Sequence, residues 1–586
     1  MWMLYLSLPF LSLLIPCPAV RADDNCADLN TLLSVNDACR CYNYANTEGQ
    51  PLVWLGCTRA EMPKIYETLS KLPTNTSVQK LWIWDTILPI VPKTLFQSIK
   101  LQELVIESSY TGGFMPGALQ ALSEDLQSLD LRNNLIREID QSVFASLDQL
   151  GNLDLSGNAI TRLTAESFGN DLQNVHTLSF YMNSLSTIGP GAFGQMRKLV
   201  RLNLARNQLT EIQEDTFRGL EALEYLNLGE NRLRTVSPNA LSSLTALRVL
   251  NLENNQLTAV RIVRMPNLQK LYLNENELSH LSNVELENVP LLRSINLDKN
   301  KLQGFTKFDP IAKIPTLKTI SMTNNQIQSI DGEALRKLGS LETLSLQQNA
   351  LEEIPNGLFS ANQMLKNLFL SQNALSQLSS ESLEGLKSLE ILSLAHNYLS
   401  VISPGAFKGL AALRKLFLND NELSRIDNRT LSQLRTLISI DLSDNPWQCK
   451  CDSVWMLDWL RSNRQIVMNL EKLLCGYPPG GFLPQTLSNM KAPCAQALTG
   501  TLKKEEKGHW IMTLGVVLGI LSCFILCAVA VLYLKDQRLS GRVGIATVPP
   551  PLPADCESLI RPELPAELER TSSTRVRFAD QSQVVG

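Results

Sequence analysis

One pattern, LxxLxLxxNxL, recurs sixteen times in this chain, beginning at residues 78, 101, 126, 150, 175, 199, 223, 247, 268, 292, 317, 341, 365, 389, 413 and 437. Ten of the fifteen spacings are 24 residues and the others are 21, 23 or 25. Fourteen units, from Asn134 to Asn445, carry Asn at the same place; the first two carry Thr86 and Ser109 there. A phase held this long means a repeat architecture rather than several globular domains. Leu and Ile at the first, fourth and sixth places alternate around a short strand and point inward, as Leu202 and Leu204 do. A turn then leaves backbone groups without ladder partners. An Asn side chain has both a donor and an acceptor to satisfy them. One unit cannot bury its apolar edge alone, so the units must stack into a nearly one-dimensional core.

These residues resemble extracellular leucine-rich repeat proteins of the 24-residue kind, over roughly residues 24 to 495. The resemblance implies an α/β repeat solenoid, a horseshoe with a concave parallel β-sheet. Sixteen strands at ~4.8 Å give an inner arc of roughly 75 Å. The 21-residue spacing from Leu247 to Leu268 shortens one outer connection, and a local irregularity is expected there.

A solenoid exposes its core at both ends and needs caps. Cys26, Cys39, Cys41 and Cys57 precede the first unit; Cys449, Cys451, Cys475 and Cys494 follow the last. Four at each end, in a secreted context, read as disulfides, with three connectivities open to each set. Zinc is the alternative for a CxC pair, but no His lies near. The flanking caps of the resembled family imply Cys26–Cys41, Cys39–Cys57, Cys449–Cys475 and Cys451–Cys494. The C-terminal run NPWQCKCD, with Trp455 and Trp459 after it, matches that cap well, whereas the N-terminal spacings are longer than usual.

Hydrophobic segments set the expected topology. The apolar run Met3 to Ile15 is too short to span a bilayer, and Val20 and Ala22 fit a cleavage pattern, so residues 1–22 read as a signal peptide cut after Ala22. Residues 511–534 carry no charge and reach ~36 Å, enough to span with some tilt. Lys535, Arg538 and Arg542 follow the span, while Lys503, Lys504 and Lys507 precede it, so charge alone does not orient it. The signal peptide orients it as type I at the plasma membrane. The expected organisation is a signal peptide (1–22), an N-terminal cysteine cap (23–77), sixteen repeats (78–447) and a C-terminal cysteine cap (448–495). A juxtamembrane linker (496–510), a transmembrane helix (511–534) and a disordered cytoplasmic tail (535–586) follow.

A net charge of -4 argues against a basic nucleic-acid binder. The chain has four His, all far apart in the sequence, and no GxSxG, HExxH, phosphate-loop or dinucleotide fingerprint. No enzyme, cofactor or metal site is expected. His396 and Asp420 read as a surface polar pair.

Strand positions facing outward are free to vary and supply the candidate ligand face. Asn203, Asn227, Asn251 and Asn296 form a polar row. Apolar bulk interrupts it twice, at Tyr225, Val249 and Tyr272, and at Phe369, Ile391 and Phe417. Exposed aromatics suit a protein-interface anchor; ordinary strand composition is the bland alternative. Trp82 and Trp84 fall on the same face and are expected to pack on the N-terminal cap. Asn75 and Asn428 are glycosylation acceptors. Gly515, Gly519, Cys523 and Cys527 recur every four residues along the span and permit a close helix dimer; a monomeric anchor is the alternative. In the tail, Asp555, Leu559 and Ile560 resemble an acidic dileucine sorting signal, Val548 to Pro553 (VPPPLP) a polyproline ligand, and Arg575 to Phe578 (RVRF) a phosphatase-docking motif. Cytosolic adaptors are the partners these imply. Taken together, the resemblance implies a cell-surface recognition or adhesion receptor for a protein ligand. The second expectation is a membrane-anchored organiser of epithelial extracellular matrix.

Overall fold

The computed structural model describes residues 26–537, apart from 34–36, 46–50, 238, 478 and 480. The signal peptide and the tail motifs, including Asp555, Leu559 and Ile560, lie outside the described residues. The chain forms two compact units, Met1–Gln496 and Ala497–Gly586.

The first unit is a leucine-rich repeat horseshoe. Its nineteen-stranded sheet takes one short strand from every repeat, and successive strands pair in parallel and in the same register. Leu178, Leu202, Leu226 and Leu250 stand directly opposite one another and are wholly buried. Each fully buried Leu contributes about 1.5–3 kcal/mol, so the column of leucines is the main favourable term. Behind it Phe168, Phe193 and Phe217 stack at 6.4 and 6.3 Å, a second apolar column that closes the outer side of the early repeats.

The repeated Asn binds neighbouring turns together. Asn231 accepts from the Leu209 amide (3.1 Å) and donates to the Leu204, Leu228 and Gly229 carbonyls (3.0, 3.1 and 3.1 Å). All fourteen asparagines accept an amide hydrogen from the preceding repeat and donate to one of its carbonyls. Where Thr86 stands instead, the hydroxyl is buried without a partner. The turn that presents each Asn puts the residue before it in the left-handed region, with φ 59° at Met182, 56° at Arg206 and 52° at Glu230. These residue types avoid that region when free, so the hydrogen bonds of the turn impose it.

The short repeat changes the outer surface. There Val260–Val263 pairs with Val284–Glu287 over four residues, whereas the outer pairs of other repeats span two. Beside it lies a groove of about 940 Å³.

Both ends are closed. The strands Cys39–Ala45 and Pro51–Thr58 form an antiparallel hairpin, and the second strand starts the parallel stack on Thr76–Trp84. The helix Met62–Ser70 seals the core beneath with Ile65 and Leu69. Disulfides join Cys26 to Cys41 and Cys39 to Cys57. At the other end Val467–Met468 extends the sheet, and the helix Val454–Ser462 buries Met456, Leu457 and Leu460. Disulfides join Cys449 to Cys475 and Cys451 to Cys494, and Trp447 is buried with its indole N–H donating to the Leu442 carbonyl at 3.0 Å.

A helix covers Leu483–Gln537. Residues 496–510, expected as a linker, are therefore helical, as is the start of the expected tail to Gln537. The stretch is rich in Ala, Leu, Lys and Glu, all good helix formers. In the second unit, Leu514–Leu532 is long and apolar enough to cross a membrane, with a mean hydropathy of 2.8.

Replacing Asn231 with Ala should strand the buried Leu209 amide and Leu204 carbonyl and cost about 3 kcal/mol. The check is a lowered thermal midpoint; an unchanged midpoint would mean that water replaces the carboxamide.

Candidate ligand-binding face

The pleat that buries the leucines leaves the residues on either side of the fourth-place Leu facing out in two rows. Pairing fixes which residues share a row. Tyr225 stands opposite Val249, which stands opposite Lys270. Tyr272 instead stands between Asn251 and Asn296 in the second row. Likewise Phe369 and Phe417 share the second row with Ser393 between them, while Ile391 lies in the first row between Asn367 and Lys415. All six candidates are half-exposed, and each group of three is spread over both rows rather than forming a column. Partial burial, followed by Glu253, pushes the Tyr225 phenol above its usual pKa.

The Asn row is less free to vary than its polarity implies. Asn203, Asn227, Asn251 and Asn296 each accept the amide hydrogen two residues on, at 3.1, 3.0, 2.8 and 2.9 Å. Asp130, Asp154 and Asp441 make the same bond at 3.1, 2.9 and 3.0 Å. Side-chain oxygens at this place thus finish each strand, a known habit of Asn and Asp. Where Tyr272, Phe369 or Phe417 replaces them, that bracket is absent and a ring stands on the surface instead. Between the two aromatic groups the floor carries small polar groups: Ser294, Asn296, Thr319, Ser321, Thr343 and Ser345.

At the N-terminal end, aromatic residues join the cap to the first repeat. The Trp82 and Trp84 rings lie 4.5 Å apart, and Tyr44 and Trp54 lie 4.1 Å apart. Lys80 sits 4.9 Å from the Trp54 ring and 2.7 Å from Glu103. The sequence does not group Tyr42, Tyr44 and Trp54, because only the hairpin pairing brings them together. Its one signal is the alternation of Arg40, Tyr42 and Tyr44 along the strand. Gly56 makes the arrangement possible: a Cβ there would lie 3.0 Å from the Trp84 ring and 3.1 Å from that of Tyr42.

Three other candidates resolve simply. His396 and Asp420 are hydrogen-bonded across adjacent repeats at the left-handed turn position, past the strand. Among the described residues no group of three His, Cys, Asp or Glu could hold a metal ion. Asn75 and Asn428 are exposed, Asn428 at the start of the short outer helix Asn428–Ser432. In the apolar helix, Gly515, Gly519, Cys523 and Cys527 are exposed, and Gly519, Cys523 and Cys527 line one shallow groove.

The edge of the sheet carries an ion-pair triad. Lys318 and Lys366 reach Glu342 at 2.6 and 2.9 Å and hold its carboxyl at about 2 rather than its ordinary 4.5.

Comparison with known proteins agrees with this geometry. The leucine-rich repeat family model matches residues 99–160, 148–209, 197–257, 340–399 and 387–446. A Caenorhabditis elegans protein, P-granule-associated novel protein 1, is 29% identical over 98 residues, which cover 17% of this chain and 16% of that protein. Among solved structures, the Drosophila Toll–Spatzle complex superposes with a TM-score of 0.54 at 18% identity, covering 78% of this chain and 75% of that one. Its glycosylated form gives 0.51 at 17%, covering 76% and 74%. At these identities the likeness concerns the fold. The chain is thus a capped leucine-rich repeat solenoid with one candidate membrane helix, similar in fold to the Toll structure.

Two outcomes test these packing assignments. Gly56→Ala should force the Trp84 and Tyr42 rings aside and cost about 1–3 kcal/mol, read as a lower unfolding midpoint. Glu342 should favour folding above pH 4.5, where it is ionised in both states, and lose that contribution as pH falls towards 2. The pairs are solvent-exposed, so the effect is small and screened by salt. The stability difference between the native chain and Glu342→Gln should narrow over that range.

Proposed function

We propose that this is a single-pass type I cell-surface receptor of the 24-residue extracellular leucine-rich repeat kind, which binds a protein ligand on its concave sheet without catalysing a reaction. The observation that carries this reading is the shape of the face. Half-exposed rings at Tyr225 and Tyr272, and at Phe369 and Phe417, flank a floor of small Ser and Thr side chains. Four strand spacings separate Tyr272 from Phe369, about 19 Å in a sheet. Two rigid aromatic anchors with a lower polar floor between them suit a convex protein surface better than a small molecule. The superposable Toll structure is itself a complex with Spatzle, which supports a protein as the partner class.

The domain reading belongs to the same proposal. It has a signal peptide to residue 22, caps at 23–77 and 448–495 around the repeats of 78–447, a membrane span over 511–534 and a cytosolic tail beyond it. Eight disulfide-bonded cysteines fit an oxidising exterior, while Cys523 and Cys527 in the apolar helix are free. Glycans on Asn75 and Asn428 and a helix dimer through Gly515 and Gly519 are parts of this reading. So is endocytic sorting through Asp555, Leu559 and Ile560. The alternative, organisation of epithelial matrix, separates from it by tail truncation: a receptor loses activity, whereas a matrix organiser is rescued by its ectodomain.

A binding screen with the ectodomain fused to an antibody Fc would identify the partner. The double variant Phe369→Ser and Phe417→Ser should then weaken binding at least about tenfold while the thermal midpoint stays near that of the native chain, since neither ring is in the core. Unchanged binding would remove this pair from the interface.

A further inference from the structure

The second place of the repeat forms a row along one edge of the sheet. In the first six units it holds Gln79, Gln102, Gln127, Gly151, His176 and Val200, none of which carries a fixed charge. The seventh holds Glu224, which pairs with Arg248 of the next unit at 3.3 Å. From the eighth unit to the fifteenth the row is mostly basic. Five of those eight positions are Arg248, Arg293, Lys318, Lys366 and Arg414, and only Glu342 and Glu390 are acidic. Hydrogen bonds place the row on consecutive strands: the Gln269 and Lys270 amides donate to the Arg248 carbonyl, Arg293 to Gln269, Lys318 to Arg293, and Glu342 to Lys318. Eight strands carry it over about 34 Å.

More cations flank the row where the short repeat opens the outer surface. Lys270 lies beside it, and Arg264 and Lys313 line the 940 Å³ groove with Thr245, Thr316 and Pro290. Glu285 and Glu287 also line the groove, but Glu285 is paired with Arg261 at 3.1 Å. Glu342 is occupied by two lysines. Arg264, Lys270, Arg293, Lys313 and Arg414 are exposed and form no ion pair among the described residues. Arg293 and Lys318 stand on neighbouring strands at the same place in the row, and Lys318 is paired with Glu342 while Arg293 is not paired among the described residues. In a chain of net charge -4 this is a segregated basic stripe, not a reflection of composition.

We propose that this edge binds a linear sulfated polysaccharide. The stripe is long, narrow and open, which matches an extended polyanion and not a compact phosphate. Its own positions carry no aromatic ring on which a base would stack, unlike surfaces that hold single-stranded nucleic acid. The source of the polyanion, at the cell surface or in the surrounding matrix, rests on the extracellular reading above. Polysaccharide on this edge reaches the concave face only at Lys270, opposite Val249, and leaves Phe369 and Phe417 free, so both ligands can be held together.

The test uses the full chain in neutral-lipid nanodiscs, with heparin as probe and hyaluronan as an unsulfated polyanion. Heparin should bind at physiological salt, weaken steeply as salt rises, and outcompete hyaluronan. Changing Arg264, Lys270, Arg293 and Lys313 to Gln together should weaken binding at least about tenfold. A control with Arg162, Arg197, Lys198 and Arg218 changed to Gln removes the same charge from earlier repeats and should bind as the native chain does. Both variants should keep the native thermal midpoint. Absence of heparin binding, equal loss in the control, equal affinity for hyaluronan, or equal binding to phosphatidylserine vesicles would each overturn the proposal. None of these results would bear on the Phe369 and Phe417 anchor, which carries no substitution here and which its own variant tests separately.

Discussion

Each turn of this solenoid leaves backbone donors and acceptors that no sheet ladder can reach, and one Asn per repeat satisfies them across the seam to the preceding turn. The leucines supply most of the favourable free energy, but they have no direction: an apolar column would tolerate many offsets. The carboxamide does not. It needs an amide on one side and a carbonyl on the other, both belonging to the preceding repeat, and a buried polar group without partners is costly. The Asn ladder therefore sets the register of the stack. It also explains why Met182, Arg206 and Glu230 accept a left-handed backbone that their side chains disfavour.

Because the ladder fixes the register, it also fixes what the sheet presents. A residue two places along in one repeat must stand beside the residue at the same place in the next. Side-chain type at one place in the pattern becomes a continuous stripe tens of ångströms long. One stripe is finished by Asn and Asp brackets and interrupted by Tyr272, Phe369 and Phe417. Another, along the edge, is uncharged in the first six repeats and mostly basic from Arg248 of the short repeat onward. The first is constrained wherever its Asn and Asp side chains bond the backbone two residues on, as at Asn251 and Asp441, whereas the exposed edge varies with little cost to the stack.

The repeated places are legible in the sequence because each has a residue type and a period. The period alone assigns Leu202, Leu226 and Asn231 to their roles, and the need to close a stack assigns the cysteines at its ends. Other features have no such signal, or a weaker one. Grouping Tyr225 with Tyr272 mixes two rows, although their different places in the pattern, before and after the buried Leu, carry the distinction. The polar row reads as free surface because the pattern does not show that Asn203 or Asn251 bonds the backbone two residues on. The cap aromatics Tyr42, Tyr44 and Trp54 belong to no repeat, so they have no period by which to be placed. Residues 496–510 have the position of a linker, but their helix-forming composition carries the better signal.

A one-dimensional stack also limits how far a local change can travel. Each repeat touches only its neighbours, so replacing Phe369 on the open face alters little near Tyr225, six repeats away. The aromatic pairs and the basic edge are independent in packing energy while sharing one rigid frame. Such a frame gains affinity by holding separate contacts at fixed distances, because the ordering cost is met in folding and not again at binding. The long repeat array is then explained by recognition as well as by stability. Fewer repeats would still bury their leucines between two caps, but they could not hold two aromatic anchors about 19 Å apart over a polar floor.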